Sequence, residues 1–245
     1  MVPVTDPLRP AARWRGWAAI TPGRFYYGGQ IGTVGMHAHH AVQLLIGDGF
    51  VLRGADGAEH TMTAALIPAN TPHAVVQGTA DGLLALIDPA HAWPVLDRDH
   101  VSSSAGWRVR LEVPAGRDQP TLQALVDHLA GAATPGPRHP ALIHATEVIA
   151  ATLPARIRLA EIARAVHLSE SRLSHLFTSE LGLPFRPYVL WMRLRAALSS
   201  LSEGATLTEA AHTAGFADAA HLTRVVRRMM GQAPSSLAAG VRWLT

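Results

Sequence analysis

The fold is decided by LAEIARAVHLSESRLSHLFTSELG (residues 159–182) and by its partial repeat LTEAAHTAGFADAAHLTRVVRRMMGQAPSSL (residues 207–237), about 48 residues further along the chain. In each copy, four apolar residues lie at i, i+3, i+4 and i+7, the spacing of one buried helix face. They are Leu159, Ile162, Ala163 and Val166 in the first copy and Leu207, Ala210, Ala211 and Ala214 in the second. The pattern predicts a short amphipathic helix at the start of each copy.

A second helix is predicted after a break of two or three residues in each copy. Ser169 and Asp218 follow these breaks, and both residue types are favoured as helix N-caps. The apolar stripe that follows is Leu173, Leu176 and Phe177 in the first copy and Leu222, Val225 and Val226 in the second. Helix, tight turn and helix therefore occur twice, which indicates two helix-turn-helix units.

The segment between the copies, RPYVLWMRLRAALSSL (residues 186–201), predicts one longer helix that joins the two units. If about 15 of its residues are helical, it spans roughly 22 Å. Successive major grooves on one face of DNA lie roughly 34 Å apart. Such a helix would let one chain present both second helices to two groove segments.

The side of each second helix opposite its apolar stripe is the side that can face the major groove, where base edges are distinguishable. Ser and His side chains can bond base edges, whereas Arg172 could bind a phosphate or a guanine. Thr223, Arg227 and Arg228 are expected to bind phosphates, which position the protein without recognising sequence. The predicted DNA-contacting residues are Ser171, Arg172, Ser174, His175, Ala220, His221, Thr223, Arg224, Arg227 and Arg228.

Charge is distributed unevenly along the chain. Residues 1–137 hold nine Arg against eleven Asp and Glu, a net charge of −2, and residues 138–245 hold twelve Arg against seven acids, a net charge of +5. A locally basic helical domain attracts polyanions, of which nucleic acid is the commonest. The charge therefore lies where the repeat predicts DNA binding, although a solvated basic face would carry the same charge.

Composition limits the classes of protein that this chain can represent. Its 245 residues with 48% hydrophobic content suit one or two globular domains. The absence of Cys excludes disulfides and thiolate chemistry. No signal peptide and no membrane-spanning apolar run is recognisable, so a cytoplasmic location without a membrane partner is expected.

A Pro- and Gly-rich segment at residues 132–140 is predicted to be a linker between domains 1–131 and 141–245. Upstream of it, Leu122, Leu125, Val126 and Leu129 predict a helix with one apolar stripe, which could pack on its own domain or against a second subunit. Short apolar segments earlier in the chain, separated by Gly, Pro, Asn and Asp, predict strands of a small barrel or sandwich. These segments are Val42–Ile46, Phe50–Leu52, Ala65–Ile67 and Leu83–Ile87, with a hairpin turn at Asp56-Gly57.

The sequence GMHAHHAVQ (residues 35–43) places His37, His39 and Gln43 on one face of an extended strand and His40 on the other. His73 follows the Asn70-Thr71-Pro72 turn and could complete a set of four ligands. Imidazole-rich sites suit Zn, Ni, Cu or Fe. Histidines that simply line a pocket wall, or that bind an organic effector, explain the same pattern.

The two quoted C-terminal stretches, with the GxxPS ending, resemble the DNA-binding domain of the AraC/XylS family of bacterial transcription regulators. This chain has His167 where that family commonly has Gly in the first turn, and Val226 where Phe is common. Arg224 lies at the position where resembling proteins place an Arg in the groove, so the resemblance implies that it contacts a base. It also implies promoter DNA as the partner and admits RNA polymerase as a second one.

The HxHxxxQ run with the later PxxxPH resembles the two halves of the cupin motif, with Gln43 where that family has Glu. A neutral amide is a weaker cation ligand than a carboxylate. AraC/XylS proteins often place a cupin-like effector domain before the DNA-binding part. The resemblances together predict an α+β protein with an N-terminal cupin-like β-barrel and an all-α C-terminal domain with two helix-turn-helix motifs.

Three functions follow as hypotheses. The favoured one is a homodimeric, non-enzymatic transcription regulator whose barrel binds a small molecule or a divalent transition metal. The second is a DNA-binding protein whose barrel only dimerises. The third is a metal-dependent cupin enzyme, against which Gln43 and the lack of an acid or base beside the histidines argue.

Overall fold

The computed structural model describes residues 14–91, 103–111, 114–132, 138–235 and 240–244. As the sequence predicts, the N-terminal part is rich in strands and the C-terminal part is helical. The strands are β1 Arg15–Thr21, β2 Arg24–Ile31, β3 Val34–His37, β4 Val42–Gly54, β5 Glu59–Ile67, β6 His73–Gln77, β7 Thr79–Ile87 and β8 Val241–Leu244.

Seven α-helices lie within the described residues. They are α1 Gln119–Ala132, α2 Pro140–Thr152, α3 Leu159–Ala165, α4 Glu170–Leu181, α5 Phe185–Ser202, α6 Leu207–Thr213 and α7 Ala219–Met230. A short 3₁₀ helix covers Ser104–Trp107. Most of the predicted linker, residues 133–137, lies outside the described residues. No helix within the described ranges is both long and apolar enough to cross a membrane.

All the strands belong to one mixed sheet with the order β3-β6-β4-β7-β2-β1-β8, and β5 pairs with β4. The long strand β4 carries most of the pairing: β5 follows one edge, while β7 and β6 take successive parts of the other. A register shift between Ile46 and Phe50 separates these parts. The two strand segments predicted on either side of this point are therefore one strand. The Asp56-Gly57 turn joins β4 to β5, with Gly57 at φ +78°.

The predicted closure into a barrel differs from the structure. No described pairing joins β3 to β8 at the two ends of the strand order, so the sheet stays open. Its last strand comes from the far end of the chain: β8 pairs in parallel with β1, from Gly16 opposite Val241 to Ala19 opposite Leu244. The C-terminal segment thus adds an edge strand to the N-terminal sheet.

One face of the sheet is covered by α1. Val42, Leu44 and Ile46 of β4 point to this face and belong to the same buried cluster as Leu122 and Val126, whose side chains are fully buried. Leu125 and Leu129 pack against this cluster as well. The apolar stripe of α1 therefore packs on its own domain, with Leu122 and Val126 fully buried and Leu125 and Leu129 half-buried.

The other face of the sheet packs against the second helix-turn-helix unit. Phe25, Tyr27 and Leu45 from this face share one continuous buried cluster with Trp191 and Leu198 of α5. The cluster extends into α6 and α7 through Ala210, Ala211, Leu222, Val225, Val226 and Met229. The first helix-turn-helix unit has a separate core, formed by α2, α3, α4 and the start of α5. Only the second unit thus shares its core with the sheet.

A buried ion pair adds to this junction. The side chain of Asp88, after β7, is fully buried, and its Oδ2 lies 2.6 Å from Nη1 of Arg195 on α5. Its Oδ1 accepts a hydrogen bond from the amide of Ala90 at 2.8 Å. Because an unpaired buried charge is costly, this pair favours the observed position of α5 against the end of β7.

The turns of the two helix-turn-helix units adopt the same backbone conformation with different residues. Gly215 has φ +77° and His167 has φ +57°, both in the left-handed region. At Gly215 a Cβ atom would lie 2.4 Å from the carbonyl oxygen of Pro154, so glycine is required there. The exposed His167 occupies the position where the AraC/XylS family commonly has Gly and bears the backbone strain of a non-glycine residue.

Replacing His167 with Gly should stabilise the protein. We expect the free energy of unfolding to rise by about 0.5–1 kcal/mol, because relief of the left-handed strain exceeds the extra chain entropy of glycine. Urea denaturation measures this change. His167→Ala is the control, since it removes the side chain but keeps Cβ; an equal gain in both variants would show that the backbone is not the cause.

Candidate DNA-binding faces and effector cavity

The second helix of each unit begins and ends with local caps. At α4, the Ser169 hydroxyl accepts a hydrogen bond from the Arg172 backbone amide at 3.2 Å. At α7, the Asp218 carboxylate accepts one from the His221 backbone amide at 2.6 Å. Both helices end at a glycine with φ +67°, Gly182 and Gly231. These caps confirm the predicted helix starts and define two candidate recognition helices, α4 and α7.

The predicted DNA-contacting residues lie on the outer sides of these helices. Ser171, Arg172, His175, Ala220, Arg224, Arg227 and Arg228 are exposed, and Ser174, His221 and Thr223 are half-buried. Two of the half-buried side chains already have intramolecular partners: the Thr223 hydroxyl donates to the Ala219 carbonyl at 2.8 Å, and the His221 ring packs edge-on against Phe216. α7 carries three exposed arginines of this set, Arg224, Arg227 and Arg228, whereas α4 carries one, Arg172.

The two recognition helices are held apart by α5. It has 18 residues, somewhat more than the sequence suggests, and is therefore about 27 Å long. Pro184 is its N-cap, and Val189, Leu194 and Leu198 are buried along it. Because α5 packs into the cores of both units, it fixes their separation.

The four residues predicted to form an effector or metal site come together inside the N-terminal domain. One ring nitrogen from each of His37, His39 and His73 lies within 4.8 Å of the other two. The ring centroids of His37 and His73 are 4.3 Å apart, and those of His39 and His73 are 4.9 Å apart. Gln43 Oε1 contacts His39 Nε2. The predicted residues therefore meet, but not as one face of a single strand: His37 ends β3, Gln43 lies at the start of β4, and His39 lies in the segment that joins them.

Backbone carbonyls set the protonation of the three imidazoles. In each ring Nδ1 donates to a backbone carbonyl. His37 donates to Gly35 (2.9 Å), His39 to Ala41 (3.1 Å) and His73 to Thr71 (2.9 Å). Because a carbonyl oxygen only accepts, each Nδ1 carries the proton, and each neutral ring keeps its lone pair on Nε2. Nε2 of His73 is buried and has no hydrogen-bond partner.

Burial keeps these rings neutral. It lowers the pKa of His39 to about 4, an effect to which the neighbouring His37 adds, and it lowers the pKa of His73 well below its usual value. Burial lowers the pKa of His37 as well. Three neutral imidazoles with converging lone pairs are a ligand set for a divalent transition metal. Gln43 Oε1 facing His39 Nε2 places two acceptors together, which a bound cation or a 180° turn of the amide would relieve.

A small cavity adjoins this cluster. Its volume is about 40 Å³, room for a few water-sized groups. His37, His39 and Gln43 line one side of it, and within the described residues no Asp, Glu or Arg lines it. The rest of the wall is apolar and comes from both parts of the chain, including Phe25, Tyr27, Leu198, Met230, Val241 and Trp243.

The C-terminal contribution to the cavity was not predicted from the sequence. Met230 and Gln232 lie at the end of α7, and Gly231 between them packs directly on β3. A Cβ atom at Gly231 would lie 2.0 Å from Val34 Cγ1 and 3.5 Å from the His37 ring. The second recognition helix therefore ends against the strand that carries His37.

His40 points away from the cluster, as the strand alternation predicts. It lines a separate cleft between the domains, together with Arg228. Burial lowers the pKa of His40 to about 4, and the positive charge of Arg228 contributes to this shift. His40 is thus a natural control for experiments on the His37, His39 and His73 cluster.

Comparisons with known proteins agree with this geometry. The family model of a helix-turn-helix domain matches residues 162–239. The structure is similar to that of ToxT from Vibrio cholerae, with 11% identity, a TM-score of 0.57 and coverage of 88% of this chain and 96% of that chain. It is also similar to wild-type ToxT from Vibrio cholerae bound to an unsaturated fatty acid, with 13% identity, a TM-score of 0.59 and coverage of 93% and 97%.

Part of the chain also matches an AraC-type transcriptional regulator from Chromobacterium violaceum, with 25% identity, a TM-score of 0.39 and coverage of 41% of this chain and 90% of that one. A comparison with curated proteins found no match. The fold and the two capped recognition helices define a helix-turn-helix DNA-binding protein. More particularly, residues 162–239 match a helix-turn-helix domain of AraC type, and the chain as a whole has the fold of ToxT.

The buried histidines predict a loss of stability in mild acid. The pKa of His39 is about 4 in the folded protein and about 6.5 in the unfolded chain, so between these values the unfolded chain binds more protons. The free energy of unfolding should therefore fall as pH drops from about 6.5 to 4, by up to roughly 1.4 kcal/mol per pH unit for each such histidine.

Urea denaturation with a metal chelator present, between pH 4 and 8, measures this slope. His39→Gln should reduce it, because the substituted side chain does not titrate. A slope unchanged in this variant would show that His39 does not contribute.

Proposed function

We propose that this protein is a sequence-specific transcription regulator that binds promoter DNA with α4 and α7 and responds to an effector in its N-terminal domain. The proposal rests above all on two capped recognition helices held on one 18-residue helix. The connecting helix, about 27 Å long, is comparable in length with the roughly 34 Å between successive major grooves on one face of DNA. Ser171, Arg172, Ser174 and His175 would contact the first groove, and Ala220, His221, Thr223, Arg224, Arg227 and Arg228 the second.

Arg224 is the proposed base contact of the second helix. It is exposed, and an Arg can bond both O6 and N7 of guanine in the major groove. Arg227 and Arg228, one turn further along, are proposed phosphate contacts. Thr223 has a weaker case for direct contact, because its hydroxyl donates to a carbonyl within α7.

The proposed effector is a divalent transition metal bound by His37, His39 and His73 with Gln43. Neutral imidazoles are ligands that suit Zn, Ni, Cu or Fe, and the buried Nε2 of His73 has no hydrogen-bond partner. A fatty acid, which one ToxT structure holds, suits this cavity less well. The volume of about 40 Å³ is too small for a long acyl chain, and no arginine among the described residues lines the cavity to pair with a carboxylate.

Homodimerisation is a further part of the proposal, and Leu125 and Leu129 of α1, which are only half-buried in their own domain, are its candidate surface. The enzyme hypothesis has less support, because no Asp or Glu among the described residues lies in the cavity wall to act as an acid or base. The domain limits proposed are 1–131 and 141–245 with a linker at 132–140, although β8 returns to the first domain.

Replacing Arg224 with Ala should cost about 1–3 kcal/mol of specific binding and relax the preference at one base pair. The DNA site is first selected from random fragments, and binding is then measured with a panel of single-base variants. Arg227→Ala is the comparison: it should weaken binding to all sequences about equally. An unchanged base preference in Arg224→Ala would contradict its proposed role.

The double replacement of His37 and His73 by Ala should abolish metal binding. Protein purified without a histidine tag is titrated with Zn²⁺ and Ni²⁺ by calorimetry, and bound metal is measured by mass spectrometry. One equivalent per chain is expected for the wild type and for His40→Ala, whose side chain lies outside the cluster. Equal binding by the double variant would place the metal elsewhere, and a response to oleate alone would favour the organic effector.

A further inference from the structure

Two adjoining clefts run between the candidate recognition helices. One, of about 880 Å³, reaches Ser174 of α4, and the other, of about 550 Å³, reaches Arg227 and Arg228 of α7. They share Arg186, Pro187 and Leu190 at the start of α5. We call the combined surface the arginine groove, after the six arginines that line it: Arg156, Arg158, Arg186, Arg193, Arg227 and Arg228.

The positive charge of the arginine groove is largely uncompensated. Glu170 is its one acidic lining residue among those described. Within the described part of the chain, no carboxylate lies within 4.0 Å of the guanidinium groups of Arg186, Arg227 or Arg228, whereas Arg158 is paired with Glu161 at 3.7 Å. Like charges held close together repel one another, and a polyanion would relieve this repulsion.

The groove also lies where the DNA backbone has to pass. It joins the outer side of α4 to the end of α7, so a duplex that touches both recognition helices crosses the start of α5 between them. Arg186 is exposed in the first turn of α5, at the point where the two clefts meet. This position suits a contact to a phosphate between the two major-groove segments.

The opposite wall of the second cleft comes from the N-terminal domain. Met36, Ala38 and His40, at the corner between β3 and β4, and Asn70, in the β5–β6 loop, line the same cleft as Arg186, Arg227 and Arg228. Met36 is 51% exposed, which is unusual for a large apolar side chain in this structure. A duplex that enters the groove would therefore lie beside the domain that carries the histidine cluster.

We propose that the arginine groove binds the DNA phosphate backbone between the two recognition helices, with Arg186 as a phosphate contact and the β3–β4 corner of the N-terminal domain as its outer wall. This inference rests on the proposed function and adds two features to it. A residue of the connecting helix binds DNA, and the effector domain lies next to the bound duplex.

Arg186→Ala in the full chain tests the first feature. The plot of log affinity against log salt concentration should become shallower by about 0.9, the value for one lost phosphate contact on duplex DNA. The loss should be similar for specific and competitor DNA, because phosphate contacts carry no sequence information. Arg186→Lys should restore the slope, and Arg53→Ala, which removes an exposed arginine of β4 that does not line the groove, should not change it.

An unchanged slope in a folded Arg186→Ala variant would overturn this role. Folding is checked by circular dichroism and thermal unfolding. If the wild-type chain shows no preference for any DNA over competitor, the regulator proposal itself fails. If the wild type binds its site but the salt dependence does not change in Arg186→Ala, only the role of Arg186 fails.

The second feature is tested by cross-linking, for which the chain is well suited because it has no native Cys. Ala38→Cys, labelled with a photoactivatable aryl azide, should cross-link to the selected DNA site at positions between the two major-groove segments. Ala124→Cys, exposed on α1 on the other side of the sheet, is the matched control and should give no product. Equal or absent cross-linking at the two positions would show that the β3–β4 corner does not flank the duplex.

Discussion

The arrangement of this protein depends on one continuous apolar core that joins a sheet face to the second helix-turn-helix unit. Phe25, Tyr27 and Leu45 on the sheet and Leu198 and Val226 in the helices belong to the same buried cluster. Side chains in such a core are packed to crystal-like density, so a displacement on one side is felt on the other. The buried Asp88–Arg195 ion pair supports the same junction. The first unit has its own core, which is separate from the sheet and is linked to the second unit through α5.

Local physical rules made the helical half predictable from the sequence. The spacing of Leu173, Leu176 and Phe177 and the caps at Ser169 and Asp218 depend only on residues within one or two helical turns, and the structure confirms them. Long-range pairing did not follow from such rules. Gly16 of β1 is paired with Val241 of β8, more than two hundred residues further along the chain. No local sequence pattern indicates that strand pairing. For the same reason, the sequence suggested a closed barrel where the described strands form an open sheet.

The residues of the candidate effector site were predictable from the sequence, but the reason for their convergence was not. His37 ends β3, Gln43 lies at the start of β4 and His39 lies between the two strands. His73 joins them because β6 pairs with both β3 and β4. The other half of the cavity wall was not predictable. Leu198, Met230 and Trp243 reach it from three separate elements, and a sequence alone contains no distance between such elements. The junction of the two domains at the site is therefore a result of the structure.

The two glycines that end the recognition helices face different evolutionary constraints. Gly182 has φ +67° with open space around the position of a missing Cβ, so Asn, which tolerates the left-handed conformation, could replace it at little cost. Gly231 has the same φ, but a Cβ there would overlap Val34. Backbone and packing both exclude a side chain at this position. Descendants that keep the contact between α7 and β3 are thus confined to glycine at 231, whereas position 182 is free to drift.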